Sequence, residues 1–180
     1  MPHFHFQWFS RIHRRSLYSL SNRLVAMHLT VTKSDNWITP QEFRHYITLS
    51  YGLPYLDVAC DRENQFGEHR LTDGLQEPWK HPPDRFAWCN CPYSSKDLWL
   101  SRAYDQGAKH GTKTMMLLPG SVGESWFYRA TLMATSTCML SPRVAFDLSE
   151  QEQSRPPKGS ALFFVGPWEI RRGIWSVKWR

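Results

Sequence analysis

A chain of 180 residues, 41% hydrophobic and 14% aromatic, is about one domain with enough apolar material for a sizeable core, which excludes wholesale disorder. No apolar run approaches the roughly 20 residues of a membrane-spanning helix, so a soluble protein is expected; four cysteines without a CxxC pair suit reduced thiols of the cytoplasm, and the oligomeric state stays open with a monomer expected. The net charge of +6 is uneven: residues 1–33 carry five basic side chains and no acid, residues 168–180 carry four against Glu169, and the body between is net −2. Basic, aromatic-rich ends on a mildly acidic body suit a polyanion gripped by its periphery.

In chain order, residues 1–30 form a basic, acid-free extension without the continuous apolar stretch of a secretory signal. Its composition also suits an organelle transit peptide. Met27 offers a plainer start of translation, which would leave the first 26 residues outside the protein. Read as protein, they are a disordered or nucleic-acid-binding arm, and residues 31–180 form a single domain. Thr39-Pro40-Gln41-Glu42 opens a helix, with Thr39 as N-cap and Glu42 closing a capping box, and Gly52 and Pro54 stop it near Tyr51.

Tyr55–Cys60 reads as a short buried strand, 61–84 as polar loop, and Phe86–Cys89 as a second strand. Ser94 and Ser95 cap a helix that Gly111 ends. Thr114–Leu118 is a strand, Glu124–Ala134 a helix and Thr137–Leu140 a short strand. Residues 149–160 read as an exposed loop, followed by strands at Ala161–Val165 and Ile174–Trp179. Short apolar strands alternating with helices predict a three-layer α/β domain with a largely parallel sheet. Ligands of such sheets sit at the carboxyl ends of strands, which places Asp57 and the segment Asn90-Cys91-Pro92-Tyr93 on one rim.

That segment, within FAWCNCPYSS at 86–95, carries the chemistry. The Asn90 side-chain oxygen and the Cys91 carbonyl are two acceptors held close together, Pro92 stiffens the turn, and Tyr93 offers a flat ring. Such a device can hold both hydrogens of one amino group while the ring stacks on the heterocycle that bears it. The four cysteines include no CxxC pair. A zinc site would need two further ligands, with only the loop residues His69 and His81 at hand, so buried reduced thiols are the better reading and no metal is expected.

These residues resemble the (Asp/Asn/Ser)-Pro-Pro-(Tyr/Phe/Trp) hallmark of amino-methyltransferases. More narrowly, the chain resembles the phage-type DNA N6-adenine methyltransferases of the Dam family, enzymes of phage, prophage or restriction–modification systems. Asp35 to Pro40 resembles the D-x-W-x-T-P opening and Leu56 to Cys60 the L-D-x-A-A strand. Asp73-Gly74-Leu75 with Trp79 resembles D-G-L…W, and Leu117-Leu118-Pro119 with Trp126-Phe127 resembles L-L-P…W-F. Arg143 to Phe146 and Gly159 to Ala161 follow in the family's order. Cys91 departs from the pattern, standing where the first proline belongs; the acceptor required there is a backbone carbonyl, which cysteine also supplies.

The resemblance implies a Rossmann-like fold, S-adenosylmethionine as cofactor and adenine in double-stranded DNA as substrate. Thr39 and Pro40 would lie near the cofactor carboxylate, Asp57 by its amino group, and Asp73 and Leu75 beside its adenine. Asn90 and the Cys91 carbonyl would bind the target amino group, with Pro92 between them and Tyr93 stacked on the base. From the charge distribution, and not from the resemblance, Arg171, Arg172, Lys178 and Arg180 would contact phosphates, without reading sequence. Two other readings stay open: an RNA-base or protein-glutamine methyltransferase, and a nucleic-acid-binding module with a decayed pocket.

Overall fold

The computed structural model describes residues 37–61, 63–148, 152–154 and 159–180. The expectations for residues 1–30, and for Asp35 and Asn36 of the opening motif, lie outside the described residues. Helix α1 (Gln41–Tyr51) buries Phe43 and Ile47, four apart on one face. It starts at Pro40 without a side-chain cap. The expected capping box is absent because Thr39 Oγ1 instead accepts a hydrogen bond from Asn90 Nδ2 at 3.1 Å, and Glu42 pairs with Arg180.

Helix α2 (Lys96–His110) ends where expected, on Gly111 at φ +68, a left-handed cap that a side chain would resist. A single 3-10 turn, Tyr93–Ser95, leads into it, and Ser95 Oγ donates to the Pro92 carbonyl at 3.2 Å rather than capping the helix. Helix α3 (Ser125–Met133) buries Trp126, Phe127 and Ala130.

The strands are β1 (Leu56–Asp57), β2 (His69–Arg70), β3 (Ala87–Cys89), β4 (Thr114–Pro119), β5 (Ser136–Ser141), β6 (Phe146–Leu148), β7 (Glu152–Ser154), β8 (Ser160–Val165) and β9 (Gly173–Lys178). Seven of them form one sheet in the order β2-β1-β3-β4-β8-β5-β9, and β6 pairs with β7 separately. The expected largely parallel sheet is corrected to a mixed one. β8 runs antiparallel to both β4 and β5, while the other pairings in the sheet are parallel. The reason lies between β5 and β8, where the described residues form only the β6–β7 pair and no helix. Without a crossover helix to carry it back to the starting edge, the returning strand can only run antiparallel.

Side chains alternate across the sheet. Leu56, Ala87, Cys89, Met116, Leu118 and Phe163 join the core beneath α2 and α3. Trp88, Met115, Leu117, Leu162 and Phe164 join the opposite core with Phe43 and Ile47 of α1. Helices on both faces give three layers, as expected. The chain runs from β1 outward to β2, then crosses back to β3 on the other side of β1. That reversal opens a crevice at the carboxyl ends of β1 and β3.

Candidate active site

β1 stops after two residues because Asp57 turns the chain. Its Oδ1 accepts the Ala59 amide at 3.2 Å and its Oδ2 the Phe66 amide at 2.8 Å. Asp57 is only 2% exposed. Burial pushes its carboxyl up from 3.8 to about 6, and the two amides, the Cys60 thiol and the Arg44 charge pull it back only in part.

Arg44 on α1 ties the neighbourhood together. Its guanidinium donates to the Thr39, Gln65 and Asn64 carbonyls at 2.8, 3.0 and 3.1 Å. Sequence reasoning missed this residue. An arginine on an amphipathic helix gives no local sign that three loop carbonyls converge on it.

At the end of β3, the same alternation separates asparagine from cysteine. Trp88 and Asn90 border the crevice on the α1 side, together with Asp57. Cys89 and Cys91, 0% and 1% exposed, point into the opposite core. Burial raises the Cys89 thiol well above its ordinary range, and its hydrogen bond with Cys91 adds to the rise. Burial likewise pushes Cys60 up to about 12 and Cys138 to about 11. Cys60, Cys89 and Cys138 are thus neutral thiols, poorly suited to nucleophilic attack.

Asn90 Nδ2 donates to the Trp37 carbonyl at 2.6 Å and to Thr39 Oγ1 at 3.1 Å, while Oδ1 is buried with no partner. A cavity of about 50 Å³ lies here, lined by Trp37, Thr39, Asp57, Asn64, Asn90 and Pro92. Exposed Asp61 also borders it, so it reaches the surface. Tyr93 stands just behind, half-buried, with ring centroids 6.2 Å from both Trp37 and Phe146. Its hydroxyl is buried without a partner, and burial raises its pKa well above the ordinary value.

The structure therefore brings Thr39, Asp57, Asn90 and Pro92 together. Pro40 is buried at the start of α1 and the Cys91 side chain lies in the core, neither of them lining the cavity. Asp73 and Leu75 stand apart from it. Asp73 is exposed and its Oδ1 accepts the Leu75 amide at 3.1 Å, a turn stabilised within itself. Gly74 seats that turn against β1's exit: a Cβ there would lie 1.9 Å from the Val58 carbonyl oxygen. Leu75 packs on the core under α2, across the sheet from the cavity.

Arg171, Arg172, Lys178 and Arg180 are all exposed. Arg180 is partly neutralised: it pairs with Glu42 and lies 4.8 Å over the Trp179 ring. Trp175 and Trp179 pack on the sheet, their Nε1 donors meeting Ser136 Oγ at 2.8 Å and the Pro142 carbonyl at 2.5 Å. Among the described residues, no helix is long and apolar enough to cross a membrane.

A mixed α/β sheet with a crevice at its strand switch, and an asparagine there whose buried acceptor has no partner, can receive a hydrogen-bond donor from a ligand. Residues 26–180 match the family DNA N-6-adenine-methyltransferase (Dam), and the chain belongs to that family. Within it, the chain is similar to the "DNA N-6-adenine-methyltransferase" of Escherichia phage T1, 30% identical over 135 residues that make up 73% of this chain and 55% of that protein. The chain thus spans about half the length of the curated relative it matches. No solved structure matches it.

Proposed function

We propose that the chain transfers a methyl group from S-adenosylmethionine to the N6 amino group of adenine in double-stranded DNA, on a Rossmann-like methyltransferase framework. Family membership supports the reaction class. The observation that carries the site is the buried, unpartnered Asn90 Oδ1 in the crevice between β1 and β3. A buried acceptor without a donor is costly, on the order of 1–3 kcal/mol, and it is relieved when a ligand brings the missing N–H.

The residues present fit such ligands in chemistry and only partly in volume. Asp57 and Asp61 make the cavity acidic, matching the amino end of the methyl donor. About 50 Å³ is well below the roughly 300–1,000 Å³ of a ligand site, so the cavity seats a polar group and not a nucleoside. Asp57 is the residue that would hold the donor's amino group, with Thr39 at the carboxylate; a contact from Pro40, buried and outside the cavity lining, rests on the family likeness alone. The adenine contacts of Asp73 and Leu75 rest on the family likeness alone.

When bound, S-adenosylmethionine supplies an electrophilic sulfonium methyl. An aromatic amine is a poor nucleophile because its lone pair is conjugated into the ring. Asn90 Oδ1 and the Cys91 carbonyl accept its two hydrogens and favour a more tetrahedral nitrogen with the lone pair facing outward. Tyr93 stacks on the base, which must leave the duplex to reach it. Positioning and fixed dipoles supply the catalysis, with no covalent enzyme intermediate. The exposed Arg171, Arg172 and Lys178 serve phosphate contact, and the preference for sequence is short or relaxed.

The test is incubation with methyl-labelled S-adenosylmethionine and unmodified DNA, RNA or protein in separate reactions, followed by nucleoside and amino-acid analysis. Label in N6-methyladenine from DNA is the expected result. Label only in RNA or glutamine would move the substrate, and no label with no cofactor binding would mark a decayed pocket.

A further inference from the structure

The Asn90 carboxamide is used from one side only. Its nitrogen lies 2.6 Å from the Trp37 carbonyl and 3.1 Å from Thr39 Oγ1. A carbonyl has no proton to give, so the group facing it must be the nitrogen; the reversed amide would set two oxygens face to face. Oδ1 is thereby turned to the other side, where it is buried and unpartnered. Both anchoring groups lie in the segment leading into α1, 53 and 51 residues away along the chain.

We propose that Thr39 and the Trp37 carbonyl are positioning groups that lock the Asn90 carboxamide in one orientation, so that the site offers its target an acceptor and no donor. The inference rests on the proposed function and extends it to selectivity. An amino group is received, whereas an oxygen at the same place on a base meets Oδ1 and is refused. The Thr39 hydroxyl oxygen serves Asn90 and the Thr39 carbonyl serves Arg44 Nε, so Thr39 would meet the cofactor through its backbone N–H. On this reading the opening motif, distant in sequence from the asparagine, is part of the amino-binding device.

Thr39→Val keeps the shape and removes the hydroxyl, and Thr39→Ser restores it. The first readout needs neither cofactor nor DNA: a cycle of Thr39→Val, Asn90→Ala and the double variant, followed by urea unfolding. The unfolding constant of the double variant should depart from the product of the single effects by roughly fivefold, the factor for one net hydrogen bond. Additivity within twofold would overturn the lock. Should Thr39→Val not fold, Thr39→Ala completes the same cycle.

The second readout is single-turnover transfer at saturating S-adenosylmethionine, beside its dissociation constant. Thr39→Val should slow transfer roughly five- to tenfold with the dissociation constant unchanged within twofold, and Thr39→Ser should recover the rate. A dissociation constant that rises as far as the rate falls would place the hydroxyl on the cofactor and defeat the proposal. If the unaltered protein methylates no DNA, the proposed function fails, and the unfolding cycle still decides whether Asn90 is locked.

Discussion

Asp57→Asn isolates the ionisation of the most deeply buried carboxylate at the site. In the folded chain its pKa rises from 3.8 to about 6, so the native state holds the proton more tightly than the unfolded chain does. The stability this provides is complete below about pH 3.8 and is lost as the pH rises through about 6. At about 1.36 kcal/mol per pH unit, the ionised form costs about 3 kcal/mol at neutral pH. Asparagine cannot ionise and escapes that cost. Its amide nitrogen, however, must face either the Ala59 or the Phe66 N–H, donor against donor, at a cost of about 1–3 kcal/mol at every pH. Urea unfolding of both proteins between pH 4 and 7.5 separates the two effects. The stability difference should swing in favour of the variant by most of that 3 kcal/mol, with the midpoint between pH 4 and 6. A difference constant to within about 0.5 kcal/mol would refute the raised carboxyl. Affinity for S-adenosylmethionine should fall in the same window as the pH drops, because a protonated carboxyl no longer attracts an ammonium.

Asn90→Ala should abolish methyl transfer while leaving the cofactor dissociation constant within about threefold, because its free oxygen serves the acceptor alone; equilibrium dialysis beside a transfer assay checks both. Cys91→Ser should retain transfer per folded molecule and lose about 1–3 kcal/mol of stability, since a hydroxyl replaces a thiol 1% exposed in an apolar core. A folded but inactive Cys91→Ser protein would implicate the sulfur. Gly74→Ala should destabilise by roughly 3 kcal/mol or more in chemical unfolding, because its Cβ would sit 1.9 Å from the Val58 carbonyl oxygen. Neutralising Arg171, Arg172 and Lys178 should weaken binding to all DNA sequences alike and flatten the log K against log salt slope by about 0.9 for each phosphate left without its cation. Arg180→Gln should change the slope less, since Glu42 already pairs with Arg180.

The sequence by itself determined the elements whose signals are local. Gly111 ended α2, Gly52 ended α1, and the apolar run before Asn90 became the strand β3. It also placed Asp57 and Asn90 on one rim, since each follows a short apolar strand and ligands of such sheets collect at strand ends. Only the tertiary structure decided the rest. Whether Thr39 caps its own helix or bonds Asn90 depends on which partner lies nearer in space, and 51 residues of chain separate the two. β2 and β7 carry no apolar alternation of their own and exist because a neighbouring strand supplies the hydrogen bonds. The direction of β8 goes with a connection that shows no crossover helix among its described residues, a property of the path and not of the strand's residues. The pKa of Asp57 is likewise collective. Burial raises it, two amides of the β1–β2 loop, the Cys60 thiol and the charge of Arg44 on α1 lower it, and none of these is written in the dipeptide Leu56-Asp57.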